Sequence, residues 1–114
     1  MPSPQLPNYL LSNRKRLALS QEEVAFLLGT RSGARVCRDE RFTREPSLET
    51  ALAYEAIFQK PVRELFGGLY QRIEGEVADR AKALGIKVDS EKATRQTDRT
   101  RQTLTSIITN LSLN

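Results

Sequence analysis

No histidine occurs anywhere in the chain, and Cys37 is its one cysteine. These two absences remove the usual zinc clusters, histidine-based catalysis and any internal disulfide. A reducing, cytoplasmic setting is expected, with Cys37 as a small helix residue. Long apolar runs are also missing. No stretch approaches the ~20 apolar residues of a membrane span, and "MPSPQLPN" has neither the basic start nor the apolar centre of a signal peptide. A soluble protein with no membrane partner is expected. Catalytic signatures are equally scarce, since there is no Walker-type glycine loop, no metal cluster and no serine, histidine and aspartate set. The reading is therefore of a protein that is not an enzyme and uses no cofactor, metal or small-molecule substrate.

What the chain does have is arginine in one place. The net charge of +4 and pI near 9.6 are unremarkable alone, but Arg31, Arg35, Arg38, Arg41 and Arg44 fall within residues 31–44, against Asp39 and Glu40. A short segment this rich in guanidinium groups suits a polyanionic partner. A solvated helix face is the plainer explanation of such a run.

The surrounding pattern is helical throughout. "NYLLSNRKRLA" reads as a first helix with Asn8 as N-cap and Leu10 and Leu17 inward. "SQEEVAFLLG" opens with Ser20 and Glu23 as a capping box and stops at Gly29; Val24, Leu27 and Leu28 face inward and Ala25 admits a close neighbour. Ser32 caps a third helix running to about Arg41, anchored by Val36. In "EPSLETALAYEAIFQK", Ser47 caps a fourth helix whose inward stripe is Leu48, Leu52 and Phe58. Pro61 starts a fifth turn, "PVRELF", with Val62, Leu65 and Phe66 in the core before Gly67 and Gly68 break it. Five short helices without a strand pattern describe a compact all-α domain over residues 9–68, after a disordered arm at 1–8.

Residues 69–114 read as a helical extension and tail. Leu69, Ile73, Val77 and Leu84 make one apolar row, interrupted by Gly75. "DSEKATRQTDRTRQT" is a linker or a frayed helix, and Leu104, Ile107, Ile108 and Leu111 make a second row. Either row packs on its own chain or on a twofold partner. A homodimer is expected, with the terminal row favoured as its interface.

Arg14, "LSQEEVAFLLG", Val36 to Arg41, "PSLETAL" and "PVRELF" together resemble the Cro and phage-repressor type of helix-turn-helix, the XRE superfamily, over roughly Tyr9 to Tyr70. The resemblance implies a five-helix domain whose second helix crosses the DNA backbone and whose third enters the major groove. It implies DNA contacts by Gln21, Arg31, Ser32, Gly33, Ala34, Arg35, Arg38 and Arg44, with Gln21, Arg31 and Arg44 on phosphates and Arg35 and Arg38 on bases. It also implies a structural ion pair between Arg14 and Glu40. The chain departs from the pattern in three ways. The turn "GTRSG" has one extra residue, Asp39 stands where a large apolar residue is usual, and Phe42 replaces the usual closing glycine. A buried, unpartnered carboxylate is expensive, so Asp39 is expected to be exposed or paired with an arginine. The expected function is a sequence-specific DNA-binding transcriptional regulator, a repressor acting on double-stranded DNA. The alternative is a protein-interaction module, antitoxin-like or an adaptor, that keeps the fold without reading DNA.

Overall fold

A computed structural model describes residues 8–43 and 45–112, so most of the expected arm, and Arg44, lie outside the described residues. Seven helices follow in order: α1 (Leu10–Arg16), α2 (Gln21–Leu28), α3 (Gly33–Glu40), α4 (Leu48–Phe58), α5 (Val62–Leu65), α6 (Gly67–Asp89) and α7 (Arg95–Ser112). No strand occurs among the described residues, and none of their helices is long and apolar enough to cross a membrane. The chain forms two compact units, Met1–Tyr70 and Gln71–Asn114.

The helix ends of the first unit follow from local hydrogen-bond chemistry. At α2, Ser20 Oγ accepts from the Glu23 amide at 3.0 Å while Glu23 Oε1 accepts from the Ser20 amide at 2.8 Å. These bonds satisfy two free donors of the first turn and hold the Glu23 carboxyl below its ordinary pKa, the Ser20 amide contributing most. The helix closes on Gly29 at φ +80°, where Gly29 and Thr30 donate back to Phe26 and Ala25. This is the left-handed stop that glycine adopts without strain. The same closure ends α3 on a less suitable residue. Phe42 takes φ +51°, with its amide donating to Asp39 O and the Thr43 amide to Arg38 O. Its ring packs 6.3 Å from that of Phe66, which offsets the left-handed strain of roughly 1 kcal/mol.

Several helix faces differ from the sequence expectation. Asn8 is not the N-cap of α1. Tyr9 holds that position, and Asn8 Oδ1 accepts from the Leu10 amide at 3.2 Å. Leu10 is buried, whereas Leu17 and Leu27 are exposed. On α4 the inward stripe is Ala51, Tyr54 and Phe58. Leu48, at 74 % exposure, and Leu52 lie outside. Ser47 caps α4 by accepting from the Thr50 amide, and Pro61 is the N-cap of α5.

Gly67 and Gly68 do not break the helix but begin α6. A Cβ on Gly67 would lie 3.3 Å from Tyr9 Cε2, so the bare backbone is what lets α6 start against the entry to α1. The fully buried side chains Leu10, Val24, Val36, Tyr54, Phe58 and Leu65 form the centre of this core, each contributing about 2 kcal/mol.

In the second unit the polar stretch after Asp89 resolves into a break and then a helix. Thr94 and Thr97 cap each other reciprocally, Thr97 N–H to Thr94 Oγ1 at 3.2 Å and Thr94 N–H to Thr97 Oγ1 at 2.8 Å. Arg101 donates to Asp98 in its own helix at 2.8 Å and to Asp89 of α6 at 2.7 Å. Part of the terminal row packs on its own chain, Leu104 being buried with Ala81 and Val88 of α6 and Ile107 and Ile108 packing partly against them.

Candidate nucleic-acid interface

The α2–turn–α3 unit is fixed by two ties at its ends. At the start of α3, Glu22 Oε1 accepts from the Gly33 amide at 2.9 Å. Ser32 stands at the N-cap position with an extended backbone, but its side chain caps nothing. The carboxylate of α2 thus replaces it. A Cβ on Gly33 would fall 2.7 Å from that oxygen and 3.1 Å from the Gln21 carbonyl carbon, so glycine is what allows the two helices to meet.

At the other end Glu40 is held by two helices. Arg14 Nε donates to Glu40 Oε2 at 2.6 Å and Arg14 Nη2 to Oε1 at 3.3 Å, while Gln21 Nε2 donates to Oε1 at 3.0 Å. Arg14 Nη1 also reaches the Leu19 carbonyl at 3.0 Å. The pair is largely withdrawn from water, with side-chain exposures of 14 % and 7 %. The hydrogen bond to Glu40, opposed by burial, holds Arg14 above its ordinary pKa.

Besides these two, a tie to α4 is one the sequence reading did not anticipate. Asp39 is buried rather than exposed, no arginine among the described residues forms an ion pair with it, and its Oδ2 accepts from the Tyr54 hydroxyl at 2.7 Å. Its backbone carbonyl accepts from Asn8 Nδ2. A carboxylate can stand in an apolar residue's position here because α4 brings a phenol to it.

With α3 held from behind, its other side is open. Ala34, Arg38 and Arg41 are exposed at i, i+4 and i+7, and Arg31 and Ser32 are exposed just ahead of them. Gly33 does not belong to this face, being buried against α2. Gln21 lies beside the Arg14–Glu40 pair with one of its two amide N–H donors given to Glu40. Arg35 is half-buried and leans toward α4, where its Nη2 donates to Thr50 Oγ1 at 2.8 Å and its buried Nε has no hydrogen-bond partner among the described residues. Arg44 lies outside the described residues.

Arg41 is the exposed arginine beside Arg38 that the sequence reading did not include among its contact residues. Its signal was the continued three-to-four spacing after Arg38. Guanidinium groups in such a row can grip phosphate oxygens or a guanine edge bidentately, and Ala34 offers a methyl-sized apolar contact between them. No protein-family model, curated protein or solved structure matches the chain.

Proposed function

We propose that the chain is a sequence-specific DNA-binding transcriptional regulator of the Cro and phage-repressor type, a repressor acting as a homodimer in the cytoplasm, without a catalytic step. In this reading α1 to α5 are the five-helix domain and α3 enters the major groove. The observation that carries the proposal is the exposed set Ala34 and Arg38 on α3, Arg41 at its C-cap and Arg31 in the turn before it, with the opposite side of α3 anchored at Gly33, Val36, Asp39 and Glu40. A short, polar helix needs such anchoring to present side chains at fixed positions, and specific recognition depends on that fixity.

Arg38, central on the face, reads a base, Ala34 meets a thymine methyl, and Arg31 and Arg41 bind phosphates on either side. Arg35, with Nη2 held by Thr50 and Nε buried, keeps only Nη1 for a neighbouring contact. Selection from a random DNA pool at near-physiological salt tests the reading. A recovered consensus containing guanine in each half-site is expected. Binding that is weak and indifferent to sequence would refute it.

A second reading, the protein-interaction module, draws support from α2. There Phe26 is 82 % exposed and Leu27 beside it is exposed as well, an apolar pair of the kind that marks protein contacts. If selection yields no consensus, this reading takes precedence.

A further inference from the structure

Among the described residues the second unit has a small core of its own, Ala81, Val88 and Leu104 with two half-buried isoleucines against them. Units this small commonly gain stability by oligomerising. Next to the side of α6 that α7 covers runs a second apolar row. Ile73, Val77 and Leu84 fall at i, i+4 and i+11, on one line along the helix, and are 41 %, 39 % and 44 % exposed.

Charge is sorted along the same helix. Residues 71–79 carry Glu74, Glu76 and Asp79 against Arg72, whereas residues 80–88 carry Arg80, Lys82 and Lys87 and no carboxylate. Beside Leu84, Arg95 and Arg99 of α7 form the rim of a groove whose apolar lining is Leu84 and Leu104. The sorting suits the helix macrodipole, but the dipole does not account for an exposed apolar row that crosses the boundary between the two charges.

We propose that this row pairs with the same row of a second copy of the chain, antiparallel about a twofold axis near residues 78 and 79. Ile73 then meets the partner's Leu84, and Val77 lies beside the axis. The acidic half of each α6 runs along the basic half of the other, with Arg95 and Arg99 flanking the acidic half of the partner. Glu76, which has Arg80 at 4.0 Å within the chain, faces the partner's Arg80 across the axis. Parallel pairing would set like charges side by side, which is costly at an interface. The contact is isologous, so it closes at two copies. The two hairpins become one four-helix layer with both α6 helices at its centre. The interface is independent of DNA reading by the first unit and is tested without DNA.

The full chain is examined by sedimentation and light scattering, and a mass of twice 12.9 kDa is expected. Val77→Glu should halve that mass while keeping the helical circular dichroism. Orientation is read by cross-linking in a Cys37→Ser background. Ile73→Cys mixed with Leu84→Cys should give a mixed disulfide on oxidation. Ile73→Cys alone should not cross-link, because its two copies lie about 16 Å apart along the axis at 1.5 Å per residue. A single-chain mass at every concentration from nanomolar to submillimolar, an unchanged dimer mass in a folded Val77→Glu, or Ile73→Cys linking to itself would each overturn the proposal. Should Val77→Glu lose its helical signal, the wild-type mass and the cross-linking pattern decide.

Discussion

The hydroxyl of Tyr54 donates a 2.7 Å hydrogen bond to Oδ2 of Asp39, joining α4 to the end of α3 within the core. Burial, and after it this bond, raise the Tyr54 pKa above its ordinary value of 10.0, with nearby Arg35 pulling the other way. Because the folded-state value is the higher one, the phenol's contribution is fully present below about pH 10 and lost as pH rises further, where the unfolded chain sheds the proton more readily. Tyr54→Phe is expected to cost roughly 2 kcal/mol at neutral pH, since it leaves a buried carboxylate without its donor. It should also flatten the alkaline loss of stability. Urea midpoints of the two proteins at pH 7 and above pH 10 check both effects.

Arg14→Ala should lower stability by roughly 3 kcal/mol, the lower end for breaking a buried pair, because Gln21 still donates to Glu40. Arg14→Lys should recover only part of the loss, as an ammonium cannot span both carboxylate oxygens and the Leu19 carbonyl in the same geometry. Denaturant midpoints order the three proteins. An Arg14→Ala midpoint equal to wild type would show that the pair contributes nothing.

Gly33→Ala should destabilise by about 1 to 3 kcal/mol, since the added methyl meets Glu22 Oε1 and the Gln21 backbone. Removing Glu22 clears one of those contacts. The double variant Glu22→Ala, Gly33→Ala should therefore lose less than the sum of the two single changes, and a double-mutant cycle by urea unfolding measures that coupling.

On the proposed DNA reading, Arg38→Ala weakens binding to the selected site by about 1 to 3 kcal/mol and relaxes preference at one base pair. Arg41→Ala weakens all sequences alike and reduces the salt slope by about one. Fluorescence anisotropy on matched and mutated sites at several salt concentrations separates the two outcomes. Equal, sequence-independent losses for both variants would remove Arg38 from base reading.

Local features were the most legible in the sequence. The Ser20–Glu23 box and Gly29 mark α2 because their bonds close within a few residues. Faces were harder to read. Helix α4 is apolar on most sides, with Leu48, Ala51, Leu52, Ala53, Tyr54, Ala56, Ile57 and Phe58 available, so periodicity alone does not choose a stripe. Tyr54 turns inward where Asp39 waits, a partner fifteen positions away that no local pattern reveals.

The two glycines at 67 and 68 read as a stop because glycine weakens helices, yet close packing at Tyr9 makes the missing Cβ of Gly67 useful. The polar stretch of α7 has too little apolar periodicity in its first half to declare itself. It is held by threonine caps and by Arg101 reaching back to Asp89. Of the arginines, charge density pointed to α3 but could not show that Arg35 leans inward while Arg41 stays out.

The ties that seat α3 run through Gly33, Val36, Asp39 and Glu40, whereas its outward positions are Ala34, Arg38 and Arg41. The two sets share no residue. On the proposed DNA reading, substitution on the outward side can therefore change what the helix meets without loosening the helix, and the fold can drift from one ligand sequence to another through intermediates of nearly constant stability. Arg35 alone belongs to both sides, and it is the position where a change of preference would also be felt as a change in folding.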